Sequence, residues 1–124
     1  MTDLSAPDWG LASGAQVRTH VVGHRTVLAV VGAIDMTTVE LLERSVDEAI
    51  DDGAAELWID LSQTTCMDTT GVHLLVETRR RLAALNRRLA IICPPGRIGH
   101  LLDVVNVSGA LPLFADRPSA HQAG

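Results

Sequence analysis

Aromatic side chains are almost missing from this sequence: it has two tryptophans, one phenylalanine and no tyrosine in 124 residues. Its core must therefore be built from Leu, Val, Ile and Ala. Cysteine is equally scarce. Cys66 and Cys93 alone do not make a disulfide framework, and neither has a second cysteine at metal-ligand spacing. No apolar run approaches the ~20 residues of a membrane span. The N-terminus lacks the basic region and apolar block of a secretory signal. There is no basic surplus either, since the net charge is −5. Nucleic-acid binding needs a basic footprint over phosphates, so the charge argues against that class. The default expectation is a soluble cytoplasmic protein with no nucleic-acid or membrane partner.

What is present fits one domain with a single core. Residues 1–15 are rich in Ser, Ala, Gly, Pro and Asp and read as a flexible arm that Trp9 could pin to the domain. Residues 116–124 have the same look and read as a flexible tail, leaving 16–115 as the domain proper. Val17–Val22 and Thr26–Val31 are short β-branched runs, and Gly23-His24 between them predicts a hairpin. Gly32 and Asp35 then read as a loop. Thr37 opens a helix, with Glu40 three residues on as a capping-box signature. Val39, Leu42, Val46, Ala49 and Ile50 recur at helical spacing, and Gly53 is a left-handed stop.

Glu56–Leu61 reads as a buried strand. A second helix is predicted from about Thr70, with Leu75, Val76, Leu82 and Leu85 on its apolar face and Asn86 as its stop. Leu89–Cys93 is another strand, Pro94-Pro95-Gly96 a break, and Ile98, Leu101, Leu102 and Val105 mark a third helix. Leu111–Phe114 reads as a last edge strand. The expected fold is α/β: a mixed sheet of about five strands, an N-terminal hairpin followed by parallel βα units, covered by helices through right-handed crossovers.

The most informative segment is Cys66-Met67-Asp68-Thr69-Thr70-Gly71, which sits where a strand turns into a helix. A helix start exposes backbone N–H groups and favours negative charge. It can be capped, hold an anion or carry a phosphate. Thr69 is expected at the N-cap, with Gly71 allowing close approach of another chain. On bare physics, Asp68, Thr69 and Thr70 need do no more than cap the helix.

The chain also resembles the STAS domain, and within it the bacterial anti-sigma factor antagonists, over about Gly32 to Phe114. The family pattern of a strand ending Asp-Leu-Ser, then Met-Asp-Ser-Ser/Thr-Gly-Leu-Gly, matches Asp60-Leu61-Ser62 and Met67-Asp68-Thr69-Thr70-Gly71-Val72. Gly32-Ala33-Ile34-Asp35 resembles the family's Gly-Glu-Leu-Asp loop, and Pro94-Pro95 through Leu111-Pro112-Leu113-Phe114 its C-terminal helix and last strand.

This resemblance implies a phosphorylation-gated binding protein rather than an enzyme. The unphosphorylated form would bind an anti-sigma factor that is a serine kinase using ATP, and so release a sigma factor. Phosphorylation at Thr69 would end that binding, and a phosphatase could reverse it. Asp35, Asp68, Thr70, Gly71 and His73 would contact the partner. Three departures fall at this surface: Thr69 replaces the commoner Ser, His73 the second Gly, and Ala33 a Glu. The resemblance also leaves open a scaffold subunit of a signalling complex or lipid-transport ATPase, and a nucleotide or small-ligand sensor.

No Walker-type phosphate loop or nucleophile elbow is present. His20, His24, His100 and His121 show no ligand spacing. No catalytic residue, metal or cofactor is therefore expected. Cys66 and Cys93 would form a candidate redox pair if their strands are neighbours. The arginines at 79–81, 87 and 88 read as a solvated face suited to a helix C-terminus.

Overall fold

The structure, a computed structural model, describes residues 14–106, 109 and 111–123, so the expectations for Trp9 and most of the N-terminal arm lie outside the described residues. Strand β1 (Ala15–Val22) pairs antiparallel with β2 (Arg25–Ile34) across the Gly23-His24 turn. Helix α1 (Val39–Asp51) leads to β3 (Glu56–Met67), α2 (Thr69–Ala84), β4 (Arg88–Ile92), α3 (Arg97–Val105), β5 (Leu113–Phe114) and α4 (Arg117–Ala123). The strands lie in sequence order across one sheet, and β2 through β5 are parallel to one another. The hairpin followed by parallel βα units is as the sequence predicts.

Strand periodicity splits the apolar residues between two faces. Leu28, Val30, Leu57, Ile59 and Ile91 face α1, α2 and α3, meeting Leu42, Val46, Leu75, Leu82, Ile98 and Leu102 in the main core. Their neighbours Val27, Trp58, Ala90 and Ile92 form a smaller cluster with Ala120 of α4 on the opposite face. Residues 117–123, expected as a tail, thus form a helix that covers the back of the sheet. Arg117 Nε donates to Asp60 Oδ2 at 2.7 Å and anchors it. Arg25 stacks 4.0 Å from the Trp58 ring and bonds Glu56 at 3.2 Å, which closes the rest of that face.

Helix stops follow the sequence closely. After α1, the Gly53 N–H donates to Ile50 O and the Ala54 N–H to Ala49 O, a Schellman end with Gly53 at φ +84°. Asn86, at φ +58°, ends α2 in the same way, with Asn86 N bonded to Ala83 O and Arg87 N to Leu82 O. The start of α1 differs from expectation. The helix begins at Val39, Thr38 occupies the N-cap without a side-chain cap bond, and no capping box forms with Glu40. The Thr38 hydroxyl instead donates back to Ala33 O at 2.7 Å. Gly32 is not in a loop. It lies within β2, where the β2–β3 register slips between Gly32 and Ala33, and a Cβ there would meet the Gly14 carbonyl oxygen at 2.4 Å.

The buried face of α2 is Gly71, Leu74, Leu75, Thr78 and Leu82, whereas Val76 is 40% and Leu85 46% exposed. Thr78 is buried because its hydroxyl is satisfied by Leu74 O at 2.8 Å. The arginine cluster does more than solvate a face. Arg81 pairs with Asp47 of α1 at 2.7 Å, and Arg87 donates to Ile50 O at 2.9 Å, so α2 and its exit are tied to α1.

Candidate functional site

Two parallel strands, β2 and β3, end side by side, with Ile34 paired to Met67. The next residues, Asp35 and Asp68, therefore stand together at the C-terminal edge of the sheet, where open α/β folds commonly present their sites. The Asp68 N–H donates to Ile34 O at 3.1 Å and ties the two tips.

Each aspartate organises the turn that follows it. Asp35 Oδ1 accepts from the Thr37 N–H at 2.9 Å and the Thr37 hydroxyl at 2.6 Å, while the Asp35 N–H donates to the Thr38 hydroxyl at 3.0 Å. Asp68 is the N-cap of α2. It has extended backbone angles, and its Oδ1 accepts from the Thr70 N–H at 2.9 Å and from the Thr70 hydroxyl. Hydrogen bonds, first from the Thr37 hydroxyl, hold the Asp35 carboxyl below the usual carboxylate range. The Thr70 hydroxyl does the same for Asp68, against partial desolvation and the like charge of Asp35. Both carboxylates are ionised at neutral pH.

Thr69 is therefore not the cap that the sequence suggests. It is the first residue of α2, exposed, and its hydroxyl has no hydrogen-bond partner among the described residues. Asp68 displaces it from the cap because its carboxylate reaches the Thr70 N–H, which leaves the Thr69 hydroxyl pointing at solvent. Thr70 is half-buried and committed to Asp68, while His73 is exposed one turn further along.

Gly71 is buried, so the open approach expected there is absent. A Cβ at this position would stand 2.6 Å from Met67 Cγ and 3.0 Å from Ile34 Cγ2. The glycine is needed for the packing that joins α2 to the two strand tips. Gly71→Ala is expected to destabilise the fold by about 1–3 kcal/mol through overpacking, read from the midpoint of urea unfolding.

Over residues 15–120 the chain matches the family model of the STAS domain. The chain belongs to the STAS domain family. Among its STAS relatives, the anti-sigma-B factor antagonist of Staphylococcus aureus (strain NCTC 8325 / PS 47) is 31% identical over 76 residues, which covers 61% of this chain and 70% of the relative. The anti-sigma-B factor antagonist of Staphylococcus epidermidis is equally similar, at 31% over 76 residues. An anti-sigma factor antagonist from Mycobacterium paratuberculosis shares this STAS fold with a TM-score of 0.83 at 21% identity, covering 90% of this chain and 94% of that one. The Bacillus cell fate determinant SpoIIAA in its phosphorylated form gives 0.65 at 19% identity, covering 90% and 100%. Unphosphorylated SpoIIAA gives 0.70 at 18%, covering 86% and 95%.

Of the residues singled out in the sequence, the STAS fold brings Asp35, Asp68, Thr69 and Thr70 together. Thr37, read from the sequence only as a helix start, and Thr38 fix Asp35. The signal was there, since Asp followed two residues later by Thr favours a side-chain turn of this kind. The β3–β4 ladder does not set the two cysteines opposite each other. Strands β3 and β4 are neighbours, but Asp60 pairs with Ile92, so Cys93 falls beside Leu61 and Cys66 lies five residues further on. That is on the order of 15 Å along the strand, against a Cα separation of at most about 7 Å for a disulfide. Both are free cysteines, and burial, then the nearby Asp103 and Asp60 charges, push the Cys93 thiol up. No helix among the described residues is long and apolar enough to cross a membrane.

Proposed function

We propose that this chain is an anti-sigma factor antagonist whose binding is switched at Thr69. In the unphosphorylated form it binds an anti-sigma factor that is also a serine kinase, freeing a sigma factor. The kinase then transfers the γ-phosphoryl group of ATP to Thr69 Oγ1, its own base takes the hydroxyl proton, and ADP leaves. The product no longer binds. The chain itself supplies the acceptor and a docking surface, not the catalysis.

One observation carries this reading: Thr69 presents an exposed hydroxyl, unbonded among the described residues, at the first turn of α2. Its two neighbouring hydroxyls differ. Thr70 is held by Asp68 and Thr37 by Asp35. A phosphate at Thr69 adds about −1.5 to −2 of charge. It would stand beside two carboxylates that are already ionised, so a docking protein would meet a concentrated negative patch. The N-terminus of α2 tolerates the added charge locally, which favours a switch at the surface over unfolding. That SpoIIAA in its phosphorylated and unphosphorylated forms both resemble this fold is in keeping with such a switch.

The test is to incubate the purified chain with each purified anti-sigma factor kinase of its source organism and ATP, and to map the product by peptide mass spectrometry. The expected outcome is one phosphate on the peptide containing Thr69, with none in Thr69→Ala. A phosphate at Thr37, Thr70 or another residue would refute the assignment.

A further inference from the structure

The two edges of the sheet differ. Strand β5 is two residues long and follows Pro112, which blunts that edge. Strand β1 forms the other edge and has none of these guards. It runs for eight residues, pairs with β2 residue for residue without a bulge, and carries no proline and one formally charged side chain, Arg18. Among the described residues no strand pairs with its outer side. Val21 is 70% and Val22 65% exposed. A long, regular edge of this kind is a template for another strand.

The hairpin fixes which backbone groups of β1 face outward. Val22 and Arg25 close the two-residue Gly23-His24 turn as a hydrogen-bonded pair. Such pairs alternate along an antiparallel ladder, so the N–H and C=O groups of Val17, Thr19 and Val21 point away from β2. Val17 packs on the main core, so these three side chains share the face that carries α1. A second copy added by a two-fold axis normal to the sheet pairs antiparallel and keeps that face in common. The axis must then pass through a residue of β1. On Arg18 it would set two guanidinium groups face to face. On His20 it would leave Val17 facing the partner's Gly23. On Thr19 it sets the two Thr19 side chains together, Val17 against the partner's Val21 twice over, and Arg18 against the partner's His20.

Helix α1 fits the same axis. It packs over β1 and β2, so a shared seam of two β1 strands brings the two α1 helices to roughly 10 Å, a normal packing distance. Ser45 and Glu48 line both the groove at Ala15–Arg18 and the one at Thr19 and Val21, so the axis passes beside them. Across it, the exposed Arg44 of each copy comes opposite the partner's Glu48. Leu41, 37% exposed, lines the same groove as Val17 and would cover the partner's Val21.

We propose that a second copy of this chain docks on the outer edge of β1, with the two-fold axis at Thr19, so that one sheet runs through both copies. The axis reverses β2 and β3 between the copies, which puts the two Thr69 turns at opposite edges of the joined sheet and covers neither. The inference goes beyond the function proposed above and does not depend on it.

The experiment is sedimentation velocity on the full chain, loaded from about 5 µM to about 500 µM, the range in which a small interface is read. It compares the wild type, Thr19→Lys, Thr19→Glu, Val21→Thr and an equimolar mixture of the Lys and Glu variants. Thr19 and Val21 are exposed, so each variant should keep the wild-type circular dichroism and melting temperature. The wild type is expected to move from monomer to dimer. Like charges set face to face should weaken the dimer about tenfold in Thr19→Lys and in Thr19→Glu, and the mixture should regain at least wild-type association. Val21→Thr keeps the β-branched shape and should lose several-fold.

A wild type that stays monomeric throughout would overturn the proposal. So would a dimer whose Kd is within threefold of wild type in both Thr19 variants, or a mixture no tighter than its components, since residue 19 would then not face its own copy. If a Thr19 variant melts lower than the wild type, Val21→Thr decides, and undiminished association there would refute the β1 seam.

Discussion

Thr69→Glu should fold like the wild type and bind its anti-sigma factor about a thousandfold more weakly, a loss of ~4 kcal/mol. Three features of the site set the size of this effect. The side chain is exposed, so the substitution disturbs no core contact. It lies in the first turn of α2, where an anion is favoured, so the helix should be kept or slightly strengthened. The charge it adds stands beside Asp35 and Asp68, and like charges gathered under a docking partner are costly when water is excluded. Thr69→Ala is the matching control: it removes the acceptor without adding charge and should bind as tightly as the wild type. Calorimetry on both variants, with melting curves to show that each is folded, measures the effect. Equal affinities for Glu and Ala at this position would mean that charge here does not control docking.

Asp60→Ala is expected to have the largest effect on stability, a loss of about 2–4 kcal/mol. Its side chain is 8% exposed, and both oxygens are engaged. Oδ1 accepts from the backbone N–H and hydroxyl of Ser62, and Oδ2 accepts from Arg117 at 2.7 Å. Removing the carboxylate frees α4 and leaves the Ser62 N–H unsatisfied. The magnitude stays below that of a fully buried ion pair because Arg117 is 48% exposed and can turn to water. Burial raises the Asp60 pKa, but the bonds from Ser62 and Arg117 outweigh it and hold the carboxyl below its usual range.

A group lowered on folding adds stability that is complete above its unfolded pKa, about 3.9 for an aspartate, and is lost as pH falls through the lower folded value. Urea midpoints should therefore fall on acidification below about pH 4 in the wild type and fall less in Asp60→Ala. Parallel acid profiles for the two proteins would show that Asp60 contributes nothing to this loss.

Much of this architecture could be read from residue patterns. Val39, Leu42, Val46, Ala49 and Ile50 gave α1 through their spacing, and Gly53 and Asn86 gave helix stops because few residues accept a positive φ. The motif around Asp68 and Thr69 was found in the right place, but the cap was assigned one residue late. Asp and Thr are both good caps, and only backbone angles separate them. The face of α2 was misjudged for a different reason. Thr78 looks polar in any pattern, yet it is buried with its hydroxyl satisfied within the helix.

Long-range partners were the least legible. Helix α4 is short and polar, and its anchor lies 57 residues away in sequence at Asp60. The separation of Cys66 and Cys93 depends on strand length. β3 and β4 are neighbours, the condition that the pair required, but β4 stops at Ile92 while β3 continues to Met67, which no residue pattern marks.

That unequal length also bears on enzyme access. The Thr69 hydroxyl, the proposed acceptor, stands at the end of an overhang, past the last rung shared by the third and fourth strands. A kinase cleft can close around such a tip while the bulk of the domain stays outside. If Thr69 is the acceptor, the domain need not be pulled apart to be modified, and the same tip can be offered, withdrawn and offered again without a folding step in the cycle.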